Sequence, residues 1–101
     1  MPELFWTKHA HDKMRYYRLP ESRVRRVIKS YERIEEGIAE NTIALMQRTG
    51  SGKNEHEIWV MVADKGRQRK VISAWRYPGK TEAGEPLPEE ILKEFREIIL
   101  G

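Results

Sequence analysis

Apolar positions along the chain change period twice, and the changes divide it into elements. After the aromatic pair Phe5-Trp6, Thr7 is a suitable N-cap, since its hydroxyl can accept an early backbone N–H. Ala10, Met14 and Tyr17 then fall at i, i+4 and i+7, one face of a first helix over 7–17. Leu19-Pro20-Glu21-Ser22 breaks that pattern and restarts it, because proline is tolerated in a first turn and glutamate suits a helix N-terminus. Val24, Val27, Ile28 and Tyr31 make the stripe of a second helix, with Arg23, Arg25, Arg26 and Lys29 around its other sides.

From residue 42 the pattern becomes strand-like. The run Thr42 to Met46 is followed by a polar connection, Thr49 to Asn54. His56 to Ala63 carries apolar residues on both faces, Ile58, Val60 and Val62 against Trp59, Met61 and Ala63, as a central strand does. Asp64-Lys65-Gly66-Arg67 is turn chemistry, and Arg69 to Tyr77 is a third run. Pro78-Gly79 ends the sheet, and Pro88 to Leu100 reads as a last amphipathic helix. The expected fold class is therefore α+β: two N-terminal helices, a three-stranded antiparallel sheet and a C-terminal helix, in one domain over 1–101. The helices are expected to cover one sheet face, with Ile28, Trp59, Val60, Val71, Ile72 and Phe95 in a single core cluster.

Composition narrows the function classes. A chain of 101 residues without cysteine has room for one core and has neither disulfides nor thiolate metal ligands to supplement it. The opening MPELFWTKHA lacks a basic segment followed by an apolar one, and no run approaches the roughly 18 apolar residues of a membrane span, so a soluble cytoplasmic protein is expected. Charge is uneven. Residues 1–31 carry eight Lys/Arg against three Asp/Glu, whereas residues 80–101 carry three against six. A basic front half suits a polyanion, whose counterions Lys and Arg displace, although charged helices are equally common as solvated faces.

The stretch KHAHDKMRYYRLPESRVRRVI resembles the opening signature of a bacterial and phage family of small domains of unknown function: a His-Ala pair ahead of Arg/Lys-Met on one helix, then a short break and a second helix. The likeness continues more weakly through EIWVMVAD and KVISAWRY, covering roughly residues 5–77. That family is similar in layout to the RelE and BrnT toxins, metal-independent ribonucleases neutralised by antitoxins. The resemblance implies a RelE-like layout, endoribonuclease activity without cofactor, RNA or the ribosome as target, and an antitoxin as protein partner. The acidic C-terminal segment departs from such toxins.

Metal-independent RNA cleavage needs a base for the 2′-hydroxyl, cations for the charge developing on phosphate, and an acid for the leaving oxygen. His9, Lys13 and Tyr17 lie along one side of the first helix. Lys70 and Arg76 share a parity on the last strand and, if that strand is regular, point to one face. His9 is thus the candidate acid/base, Lys13, Lys70 and Arg76 the phosphate cations, and Tyr77 a stacking or proton-transfer group, with Arg15, Arg23 and Arg26 contacting nucleic acid elsewhere. Each has a structural use as well: His9 as a cap or packed on Trp6, Tyr17 at the core edge, Lys70 and Arg76 on a solvated face, Trp59 and Trp75 in the core. Two motifs fail on spacing. Gly50-Ser51-Gly52-Lys53 has Gln47 where a phosphate loop needs its first glycine and Asn54 where it needs Ser or Thr. His9 and His11 sit about 200° apart on a helix, and His56 between Glu55 and Glu57 would need a distant partner, so no metal site is expected. The alternative function is a non-catalytic domain that binds protein or nucleic acid.

Overall fold

The computed structural model describes residues 3–37, 41–84 and 91–93. Its elements are β1 (Glu3–Trp6), α1 (Lys8–Tyr16), α2 (Glu21–Lys29), β2 (Arg33–Glu36), β3 (Thr42–Thr49), a 3₁₀ turn (Gly52–Asn54), β4 (His56–Lys65) and β5 (Gln68–Pro78). The strands form one mixed sheet in the order β1-β5-β4-β3-β2, with β1 parallel to β5 and all other neighbours antiparallel. The three-stranded antiparallel sheet expected from the pattern is therefore its centre only, and a layout that begins with two helices is overturned by β1. Both additional strands are four-residue edge strands with one half-buried face, too short for alternation to stand out from their flanks.

Thr7 caps α1 as expected, its hydroxyl oxygen accepting from the Ala10 N–H at 3.0 Å. The same hydroxyl lies 3.0 Å from the Val71 carbonyl and 3.2 Å from that of Ile72, and the Thr7 N–H donates to the Val71 carbonyl at 3.2 Å. These carbonyls flank an irregularity in β5. Val62 pairs with Val71 but Met61 pairs with Ser73, so Ile72 is an extra residue, a β-bulge.

The sheet has apolar side chains on both faces. Ala10 and Met14 of α1, Leu19, and Val24 and Val27 of α2 pack on Leu45, Ile58, Val60, Val62, Val71 and Ala74. The second face holds Ala44, Met46, Trp59, Met61 and Trp75, covered by Ile91, with residues 91–93 helical. The single cluster expected around Ile28, Trp59, Val60, Val71 and Ile72 is thus two clusters divided by the sheet. Ile28 packs at the edge of the first and Trp59 belongs to the second, while Phe95 lies outside the described residues. The helices do not all cover one face, because the central strands are apolar on both and each face needs a cover.

A buried carboxylate organises the second face. Glu57 is fully buried; its Oε1 accepts from Trp59 Nε1 at 2.9 Å and from the Thr81 hydroxyl at 2.7 Å, and its Oε2 accepts from the Thr81 N–H at 2.9 Å. Arg33 on β2 lies 4.9 Å from the centre of the Trp59 ring and donates to the Thr81 carbonyl at 2.9 Å. The Trp59 and Trp75 rings stack at 5.8 Å. The segment after β5 is thereby fastened across the sheet to both β4 and β2.

Thr7→Ala is expected to cost about 1–2 kcal/mol in chemical denaturation, the usual worth of a helix cap, with Thr7→Ser recovering most of it. Glu57→Gln should cost about 1–3 kcal/mol, since an amide nitrogen then faces one of three donors that all need an acceptor.

Candidate anion-binding cleft

The sequence-derived site residues fall in four places. Arg23, Arg26 and Arg76 come together. Arg23 and Arg26 stand on α2, and Arg76 on β5 points to the same side of the sheet, opposite Ile58. They line a cleft of about 290 Å³ with Arg18, Ser22 and His56. A second hollow of about 350 Å³ adjoins it, sharing His56 and Arg76 and bordered by Tyr17, Lys53 and Glu55.

His9 is not at this cleft. It is half-buried at the N-terminal end of α1, whereas Arg76 donates to the Tyr17 carbonyl at the C-terminal end, at 3.2 Å, about 12 Å further along the helix axis. Lys13 lies between, its Nζ 5.9 Å from the Tyr17 ring centre. Lys70 is on the opposite face: it pairs with Ala63 and Phe5, while Arg76 pairs with Ile58. Shared parity fails for Lys70 and Arg76 because the bulge at Ile72 reverses the alternation between them. Tyr77, next to Arg76, also faces the second cluster, where it is half-buried. Arg15 is exposed on the outer side of α1 and engaged with Asp12 at 2.6 Å.

The residue that sequence reasoning missed is His56. Its Nδ1 is 2.8 Å from the Asn54 carbonyl, and its Nε2 contacts Arg76 Nη1. A carbonyl only accepts and a guanidinium only donates, so both contacts are satisfied by one tautomer: Nδ1–H donating to Asn54, with a lone pair on Nε2. The signal was present in the strand pattern. His56 has the parity of Ile58, Val60 and Val62, which carries it to the helix-covered face beside Arg76.

Electrostatics favour an anion here. The Arg23 guanidinium is held below its usual range by burial first, then by the charges of Arg26 and Arg76. Arg69 contrasts with it: there the hydrogen bonds to Asp64, at 2.6 and 3.0 Å, push the guanidinium above its usual range. Among the described residues no carboxylate lies within ion-pair distance of Arg23, Arg26 or Arg76. Arg23 is aimed by Gln47, whose Oε1 accepts from it at 2.5 Å and whose Nε2 donates to the Ser30 carbonyl at 3.2 Å. Pro20 and Ser22 line the cleft at the N-terminal end of α2, so the helix dipole adds positive potential there. Arg76 uses one N–H on His56 and one on Tyr17, leaving the rest of its five donors for a ligand. Among the described residues no group of three or more His, Cys, Asp or Glu side chains is placed to hold a metal ion.

Comparison with family models, with curated proteins and with solved structures gives no match to this chain.

Because the guanidinium groups of Arg23, Arg26 and Arg76 repel one another, Arg26→Gln is expected to raise the melting temperature at low ionic strength, and the gain should shrink as salt is added. Sulfate should stabilise the wild type more than chloride at equal ionic strength, and Arg76→Ala should shrink that difference to the general effect sulfate has on any folded chain; calorimetry checks both.

Proposed function

We propose that this cleft binds a phosphodiester of RNA and cleaves it without a metal, with His56 in the acid/base role that the sequence alone pointed to His9 for. The observation that carries the reading is the Arg23–Arg26–Arg76 cluster, without a carboxylate among the described residues, set around an imidazole whose Nε2 is an acceptor.

In this mechanism the scissile phosphate sits among the three guanidinium groups and draws Arg76 off His56. The freed Nε2 accepts the 2′-hydroxyl proton as the 2′-oxygen attacks phosphorus. The three cations stabilise the doubly charged transition state, the kind of preorganised electrostatics that outweighs single proton transfers. The bond from phosphorus to the 5′-oxygen breaks, and that oxygen takes its proton from Tyr17, which borders the adjoining hollow that shares His56 and Arg76 with the cleft. The products are a 2′,3′-cyclic phosphate and a free 5′-hydroxyl. Arg15, Lys70 and Tyr77 take no part in this step, and Lys13 acts through the Tyr17 ring.

Cleavage of free and ribosome-bound RNA should persist in chelator and yield cyclic phosphate ends. His56→Ala should lower the rate by about 10²–10⁴-fold, the usual worth of a general acid or base, while His9→Ala in a folded protein leaves it within a few-fold. His56→Gln keeps an acceptor for Arg76 and should bind uncleavable RNA normally, so that its rate loss reports proton transfer alone. Wild-type protein that binds RNA through Arg76 and cuts none would establish the binding-domain alternative instead.

A further inference from the structure

The arginine cleft continues beyond the α1–α2 turn. Arg18, Leu19 and Pro20 form one of its walls and are also a wall of a second, larger groove of about 870 Å³ on the outer side of α1, where Trp6, Lys8 and His11 line it. Three observations bear on what that groove holds.

The first is the backbone at Arg18. Its φ is +57°, in the left-handed region, at the end of a helix whose last turn closes by Leu19 N–H donating to the Met14 carbonyl at 2.7 Å. Glycine is the default there because a Cβ crowds the following carbonyl. The chain instead carries a long cation at a place that favours no side chain, and it is the one that borders both grooves. Strained residues of this kind are tolerated where their side chains are used.

The second is a set of flat groups. The Arg25 guanidinium lies 5.3 Å from the centre of the Trp6 ring, and the His11 ring lies 6.0 Å from it at an interplanar angle of 31°. His11 and Lys8 are exposed. Such surfaces stack unpaired nucleobases, whereas a duplex keeps its bases stacked on each other.

The third is charge. Lys8 and Arg18 line the groove against Glu21, while Arg15, which also lines it, is paired with Asp12 at 2.6 Å.

We infer that the groove is the continuation of the substrate path: a single-stranded RNA with one phosphate among Arg23, Arg26 and Arg76 crosses the α1–α2 turn with its next phosphate on Arg18 and stacks the adjoining base against His11 and Trp6. This rests on the cleft binding RNA, and it defines the substrate as an unpaired strand of several nucleotides. An acidic peptide would satisfy the cations but has no use for the flat groups, and the groove's junction with the phosphate cleft favours a strand that runs through both.

The test uses 2′-fluoro RNA oligomers, which lack the attacking hydroxyl, titrated by fluorescence anisotropy. A six-nucleotide oligomer should bind the wild type on the order of 5- to 100-fold more tightly than a dinucleotide, the contribution expected of one stacked base. Arg18→Gly should lose most of that gain and reduce the salt slope by about 0.7, one phosphate contact on a single strand. Its melting temperature should stay at or above the wild-type value, because glycine adopts the left-handed backbone without penalty. A purely structural role for Arg18 would not produce that combination. Lys8→Ala with His11→Ala, both at exposed positions, should lose the gain while leaving dinucleotide binding intact. The inference is overturned if the length-dependent gain is absent or survives both variants, or if poly-glutamate of equal charge binds as tightly with the same dependence on Arg18. Arg76→Ala reads the cleft separately: if it leaves dinucleotide binding unchanged while Arg18→Gly still weakens the six-mer, the cleft reading fails and the groove stands.

Discussion

The arrangement of this protein depends on one extra residue in β5 and the threonine that stabilises it. Without the bulge at Ile72, strand alternation would put Lys70 and Arg76 on the same face, and Val71 and Ala74 could not both turn toward the helices as they do. A bulge leaves carbonyls without ladder partners, which is costly unless another donor reaches them. Thr7 supplies that donor and caps α1 with the same side chain. The first turn of α1 is thereby set on the strand that carries Arg76, while Arg76 in turn binds the carbonyl at the other end of the same helix. One helix, pinned at both ends to one strand, fixes the side of the site.

The two faces of the sheet handle charge in opposite ways. On the second face Glu57 is buried, and three donors and the nearby Arg48, 3.8 Å away, meet its charge. Such a carboxylate gains order for the segment around Thr81 and Gly84, which Glu35 also holds through the Gly84 N–H at 3.2 Å. On the helix-covered face Arg23, Arg26 and Arg76 converge, and among the described residues no carboxylate lies within ion-pair distance of them. A buried, paired carboxylate and a cluster of like charges are thus separated by a single layer of backbone.

Much of this was legible in the chain. Thr7 as a cap, the 3.6 period of Ala10, Met14 and Tyr17, the stripe of Val24 and Val27, and the three long strands all follow from local preference, and local preference was enough. β1 and β2 were not legible, since each is four residues long and exists because of partners far away, Gln68–Val71 for β1 and Ile43–Met46 for β2. The bulge was hidden by chemistry: Val71-Ile72 are both apolar, so the run reads as buried whichever residue is the extra one. That single ambiguity placed Lys70 in the wrong company. His56 was readable by parity from Ile58, Val60 and Val62, but a histidine between two glutamates draws attention to metals rather than to the strand it begins.

The parallel pairing of β1 with β5 has a consequence in time. Glu3 finds its partner at Gln68, Thr7 at Val71, and Tyr17 meets Arg76 across 59 positions of sequence. Contacts that close such long loops carry a larger entropic cost than pairings of neighbouring strands. During synthesis, therefore, the two N-terminal helices emerge with neither the floor nor the far wall of their cleft. The arginines of α2 meet Arg76 in the cleft only once β5 has been made, because Arg76 is carried by that strand.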